Sequence, residues 1–276
     1  MVFEWFGHVK KIKVMKVQVK RGRPRKNVVK VLPNLVKMDD IKFNNDLFVP
    51  MRTGRKIDAM LSSDGGLMKG TNYAFVGDPG VGKSTVMLDV LADLQDRGQK
   101  VLFISGEMTS IDLHGYVKRY PKFGKLPILF MGDYCEADPL QIIEDVLEDG
   151  YDVVLIDSMA EVCTQVVDYH GGTNKNAETR ILNILEGHNK AENKASINTS
   201  FLIIQQVTKG GSFAGSNRFK HMLTGMGHMK FVDGGRCLFF SKNRRGGEMN
   251  KLFFSLDQTQ NVGWLFTEPM STGDEK

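Results

Sequence analysis

Gly77-Asp78-Pro79-Gly80-Val81-Gly82-Lys83-Ser84 stands between a short apolar run, Tyr73-Ala74-Phe75-Val76, and an amphipathic stretch over residues 83–97. Met87, Val90, Leu91 and Leu94 share one helical face there, and Gly98 is a suitable C′ stop. The octapeptide has the G-x-x-x-x-G-K-[ST] spacing in the strand–loop–helix context that gives the spacing meaning. Glycines let backbone N–H groups converge on phosphate oxygens without side-chain collisions, and the helix N-terminus adds its positive end. The pattern therefore predicts an ATP and Mg²⁺ site. Gly77 to Gly82 form the cradle, Lys83 reaches the β- and γ-phosphates, Ser84 meets Mg²⁺, and Thr85 is expected at the α-phosphate.

Outward from this loop, apolar strands alternate with amphipathic helices. Val101-Leu102-Phe103-Ile104-Ser105, Val153-Val154-Leu155-Ile156-Asp157 and Phe201-Leu202-Ile203-Ile204 read as strands buried on both faces. Asp138-Pro139 reads as the N-cap and N1 of a helix carrying Leu140, Ile143, Val146 and Leu147, and a further helix carries Ile181, Ile184 and Leu185. Cys237-Leu238-Phe239-Phe240 and Leu252-Phe253-Phe254 are expected as antiparallel strands at one edge. The fold class is α/β, a mostly parallel twisted sheet flanked by helices.

Two carboxylates end strands beside the loop. Asp157 is placed to hold the Mg²⁺ shell through water, or else to N-cap the segment after Ser158. Glu107 follows the Val101 to Ser105 strand; it is either the base that deprotonates water or a solvated member of a capping box.

Length, composition and charge bound the rest. The 276 residues are 41% hydrophobic and 25% charged, enough for one large α/β domain plus an extension. No apolar run approaches the roughly 20 residues a membrane span needs, and the basic N-terminus lacks a secretory apolar core. Cys135, Cys163 and Cys237 are odd in number and far apart, so neither zinc nor disulfides are expected. Of the net charge of +5, residues 1–30 hold ten Lys and Arg against one Glu, a net +9, leaving the remainder at −4. The division expected is a basic arm, residues 1–45, and a P-loop core, residues 46–276. Such an arm meets a polyanion. Arg21-Gly22-Arg23-Pro24-Arg25-Lys26 resembles an AT-hook, a narrow extended backbone with arginines for the minor groove of A·T-rich duplex. A flexible basic tail without groove preference is the alternative. A membrane surface is disfavoured because the arm has no amphipathic apolar face.

Four segments in order resemble the ATPase core of the bacterial RadA (Sms) family, within the RecA and DnaB superfamily. They are the loop from Gly77 to Thr85; Val101 to Glu107; Val154-Leu155-Ile156-Asp157-Ser158; and Val207-Thr208-Lys209-Gly210 with Ala214-Gly215, leading to Lys242-Asn243-Arg244. The likeness covers roughly residues 52–247. It implies a RecA-like fold and ATP hydrolysis at interfaces of a homo-oligomer, ring or filament, on single-stranded DNA. It also implies roles: Glu107 as the catalytic glutamate, Gln206 as a γ-phosphate sensor, and Lys209, Arg218 and Lys220 as phosphate contacts of a DNA-facing loop. Lys242 and Arg244 match a Lys-x-Arg pair that reaches into the neighbouring subunit's ATP; without the likeness they read as solvated residues beside two glycines. The family's Cys₄ zinc segment and Lon-like domain have no counterpart in these 276 residues. Residues 221–233, with Gly225-Met226-Gly227, exceed the family's version, and the motif reads Lys-Asn-Arg-Arg. The implied role is recombination, repair or annealing in a bacterial or phage-infected cytoplasm, similar to compact phage RecA-like proteins. A DnaB-like helicase and a P-loop small-molecule kinase are the alternatives.

Overall fold

The computed structural model describes residues 35–41, 44–206, 215–233, 235–248, 251–256 and 260–265. The chain divides into two units, Met1–Asn44 and Asn45–Lys276. In the first, the described residues hold a single 3-10 turn, Met38–Asp40. The Arg21 to Lys26 stretch and Lys209 lie outside the described residues.

The second unit runs α1 (Asp58–Leu61), β1 (Asn72–Gly77), α2 (Lys83–Asp96), β2 (Val101–Ser105), α3 (Ser110–Arg119), β3 (Ile128–Phe130), α4 (Pro139–Leu147) and β4 (Val153–Asp157). It continues through α5 (Met159–His170), α6 (Asn174–Asn189), β5 (Ser200–Gln205), α7 (Asn217–Met222), β6 (Gly225–Val232), β7 (Gly235–Asn243), β8 (Leu252–Ser255) and β9 (Gly263–Leu265). Among the described residues these strands form one sheet in the order β3-β2-β4-β5-β1-β6-β7-β8-β9. Every pairing from β3 to β6 is parallel; those of β7, β8 and β9 are antiparallel, at the expected edge.

β1, β2, β4 and β5 are buried along their whole length. Successive side chains point to opposite faces, so one strand feeds two cores. Phe75, Phe103, Leu155 and Leu202 pack with Met87, Leu91 and Leu94 of α2 on one face. Ala74, Leu102, Val154 and Phe201 pack with residues of α4, α5 and α6 on the other.

The sequence pattern gives residues 221–233 no element, yet most of that segment is β6, running parallel to β1 with Tyr73 opposite Gly225 and Gly77 opposite Met229. Its period is broken for a packing reason. A Cβ at Gly225 would lie 2.4 Å from the Tyr73 ring. The strand thus carries glycine where an apolar residue would have advertised it. β7 extends to Asn243, so Lys242 lies inside a strand rather than after it.

Candidate functional site

The loop after β1 turns because two of its glycines adopt positive φ, +77° at Gly80 and +100° at Gly82. Gly77 is needed for a different reason: a Cβ there would lie 2.2 Å from the Met229 carbonyl oxygen of β6. The Lys83 ammonium donates to the carbonyls of Gly77 (2.9 Å) and Asp78 (3.0 Å), which holds it across the loop. Burial lowers its pKa, opposed by the charges of Asp157, Glu107 and Asp78.

Asp157 ends β4 opposite Ser105 and is buried. The Ser84 hydroxyl donates to its Oδ2 at 2.5 Å. Burial pushes the carboxyl up to about 6, with the Glu107 charge adding to the rise while the Ser84 bond and Lys83 oppose it. The N-cap alternative falls to Ser158, whose Oγ accepts from the Glu161 N–H. Glu107 follows β2, is exposed, and lines the same cleft. It takes no part in a capping box, because Thr109 and Asp112 form that box at the start of α3.

These groups share one cleft of about 590 Å³ that also takes in Thr85 and Gln206. Gln206 is exposed, one residue beyond β5. Sequence reasoning missed Tyr116, a cleft residue of α3 whose phenol pKa is raised by burial, with the Thr85 side chain acting against that rise. Helix α3 buries none of its residues fully, Leu113 and Tyr116 packing half-buried against the core; the Thr109-x-x-Asp112 box was the available signal. Among the described residues no group of three or more His, Cys, Asp or Glu side chains is placed to hold a metal. Two hard oxygens, from Ser84 and Asp157, nevertheless fit Mg²⁺, which keeps several waters and takes substrate phosphate oxygens.

Of the remaining assigned residues, those described, Arg218, Lys220, Lys242 and Arg244, gather at the other end of β1. The Arg244 N–H donates to the Thr224 carbonyl (2.9 Å), and the Thr224 N–H to the carbonyl of Asn72, where β1 begins (2.7 Å). Gly77 is five residues further, about 17 Å at 3.3–3.4 Å per residue, more than an arginine side chain spans. Lys242 donates to the Lys220 carbonyl, and the Arg218 guanidinium to Asn183 Oδ1. Arg218 and Arg244 line one pocket, separate from the cleft. No helix among the described residues is long and apolar enough to cross a membrane.

No protein-family model matches the chain. Among curated proteins, the DNA repair protein RadA of Campylobacter jejuni is 28% identical over 159 residues, covering 58% of this chain and 33% of its own length. RadA of Bacillus subtilis is 28% identical over 221 residues, 76% of this chain and 45% of its own. RadA of Mycobacterium tuberculosis (strain H37Rv) is 25% identical over 202 residues, 71% and 40%. The chain thus spans a third to just under half the length of these relatives. Among solved structures, a KaiC-like protein from Pyrococcus horikoshii OT3 has a TM-score of 0.54 at 16% identity, covering 73% of this chain and 92% of its own. The flagellar accessory protein FlaH from Methanocaldococcus jannaschii has a TM-score of 0.56 at 11% identity, covering 74% and 92%. The chain therefore carries a RecA-like α/β core whose sequence is similar to that of the bacterial RadA proteins.

Proposed function

We propose that the chain is an ATP-dependent DNA-binding protein of recombination, repair or annealing that hydrolyses ATP at the interfaces of a homo-oligomer. The observation that carries the ATPase half is the Ser84–Asp157 hydrogen bond, in one cleft with Lys83 and Glu107. The DNA half rests on the relatives' name and on the basic N-terminal segment.

In this reading the loop amides and Lys83 bind and orient the triphosphate. Mg²⁺, held through Ser84 and Asp157, would neutralise charge developing on the phosphate oxygens. Glu107 accepts a proton from the attacking water as its oxygen bonds to the γ-phosphorus. The bond to the β,γ-bridging oxygen breaks, and ADP leaves with that electron pair. Gln206 senses the γ-phosphate from the end of β5. Arg244 and Lys242 serve a neighbouring copy, a role favoured by their distance from their own loop. Lys209, Arg218 and Lys220 contact single-stranded DNA, and the Arg21 to Lys26 segment the minor groove of duplex.

The test follows γ-³²P-ATP by thin-layer chromatography, with and without single-stranded DNA. The expected product is inorganic phosphate, released faster with DNA. Transfer of label to a small acceptor would establish the kinase alternative, and release indifferent to DNA would sink the DNA half. Strand separation of a forked duplex would favour the helicase alternative.

A further inference from the structure

At the start of β1, away from the cleft, lies a pocket of about 500 Å³ with a cationic wall. Lys190 follows α6, Arg218 and His221 come from α7, and Arg244 follows β7. Asn72 and Asn189 also line it, their side-chain amides bonded to each other in both directions (2.7 and 3.0 Å), with Asn189 donating to the Thr199 carbonyl as well. That framework is rigid and neutral. Glu186 is the one carboxylate lining the pocket; it is bonded to Lys190 at 2.7 Å, and chiefly that contact holds it below the usual range.

Arg218 also acts on Glu186, helping to hold that carboxyl low, so this one carboxylate faces three permanent cations, Lys190, Arg218 and Arg244. Arg218's hydrogen-bond partner, Asn183, is neutral. The Arg244 guanidinium is exposed and makes no hydrogen bond or ion pair among the described residues. Its charge adds to burial in lowering the pKa of Lys242 nearby. Two guanidinium forks around a polar cavity suit tetrahedral oxyanions, which accept bidentate pairs.

We propose that Lys190, Arg218, His221 and Arg244 form a second phosphate-binding pocket, separate from the loop after β1. This deepens the reading of Arg244 given above and recruits α7 to the same task. The phosphate comes either from a nucleotide held by a neighbouring copy or from the backbone of a single strand; the chemistry is shared.

The first experiment titrates pyrophosphate into the Lys83→Ala chain by calorimetry, so that neither hydrolysis nor DNA enters the readout. Saturable binding is expected. On that background, Arg218→Gln with Arg244→Gln should weaken it about tenfold or more, the scale of a lost charge-assisted hydrogen bond. Arg218→Lys with Arg244→Lys should weaken it less. Should the double Gln variant lose its thermal transition, Arg244→Gln alone carries the test, because that side chain is exposed. Absent saturation, or affinity unchanged by the Gln substitutions, overturns the proposal. The second experiment places Arg218→Gln in the otherwise native chain and compares ATP turnover with affinity for fluorescein-labelled dT₂₀. A shallower salt slope and weaker dT₂₀ binding identify the strand as the source. Lower turnover at unchanged dT₂₀ affinity identifies the neighbour's nucleotide. If neither changes, the pocket serves no phosphate and the proposal falls.

Discussion

At the Gly77 end of β1, one lysine faces the carboxylates of Asp157, Glu107 and Asp78; at the Asn72 end, Lys190, Arg218, His221 and Arg244 face the single carboxylate of Glu186. In the reading proposed above both ends meet phosphate, by opposite means. The first uses backbone amides and surrounds them with acid, so a polyphosphate is tolerated there when a cation accompanies it. The second uses guanidinium groups and needs no metal. Within one protomer the two ends lie about 17 Å apart along an extended strand. Stacked copies could bring the cationic end of one against the acidic end of the next.

The strongest way to break this comparison is Arg244→Ala. If the cationic end completes a neighbour's site, turnover should fall by about 10³-fold with ATP affinity unchanged. Mixing that variant with Lys83→Ala protein should restore part of the phosphate release. No recovery in mixed oligomers shown by crosslinking would place Arg244 in its own protomer's service or in none. Glu107→Gln tests the acidic end and should cost about 10²-fold in turnover while nucleotide stays bound; parental turnover would remove Glu107 as the base.

A smaller effect concerns Asp157. Its folded pKa, about 6, lies above its ordinary value of 3.8. The folded chain therefore holds that proton more tightly than the unfolded one. Its contribution favours the metal-free fold below pH 4 and is lost as pH rises from about 4 to about 6. Asp157→Asn should raise metal-free stability at pH 7 by up to about 3 kcal/mol in thermal melts and abolish Mg²⁺-dependent turnover. An unchanged melting temperature in Asp157→Asn would show that burial of that charge costs little. The smallest change at either end should come from deleting residues 1–30. The loss of a net +9 should flatten the salt dependence of duplex binding and leave DNA-free turnover intact. Arg23→Ala should erase any preference for A·T-rich over G·C-rich duplex. An unchanged salt slope would show that the arm does not touch DNA.

The acidic end was legible because local chemistry writes it into contiguous residues. β2 runs from Val101 to Ser105 as the apolar run predicts, and Asp138 accepts from the Leu140 N–H at 2.9 Å to open α4. Gly98 ends α2 at φ +91°, donating to the Gln95 carbonyl while Gln99 donates to that of Leu94. The cationic end was not legible as one place. Lys190 and the α7 residues Arg218 and His221 come together through the packing of α7 on α6, and Arg244 joins them through the path of β6 beside β1; β6 was hidden by the glycines that let it pack on Tyr73 and Phe75. Tyr116 escaped because it belongs to no phosphate-loop or strand-end motif; it reaches the cleft only through the packing of α3 against the core.

The approach of Met229 to Gly77 sets unequal freedom to drift. Position 229 contributes a backbone oxygen to that contact, so its side chain can vary among apolar residues that fill the same buried space. Position 77 can vary hardly at all, since even one methyl group would have to displace backbone. In a lineage of such chains, the record of β6 lying against the loop would persist at 77 long after the sequence of β6 had become unrecognisable.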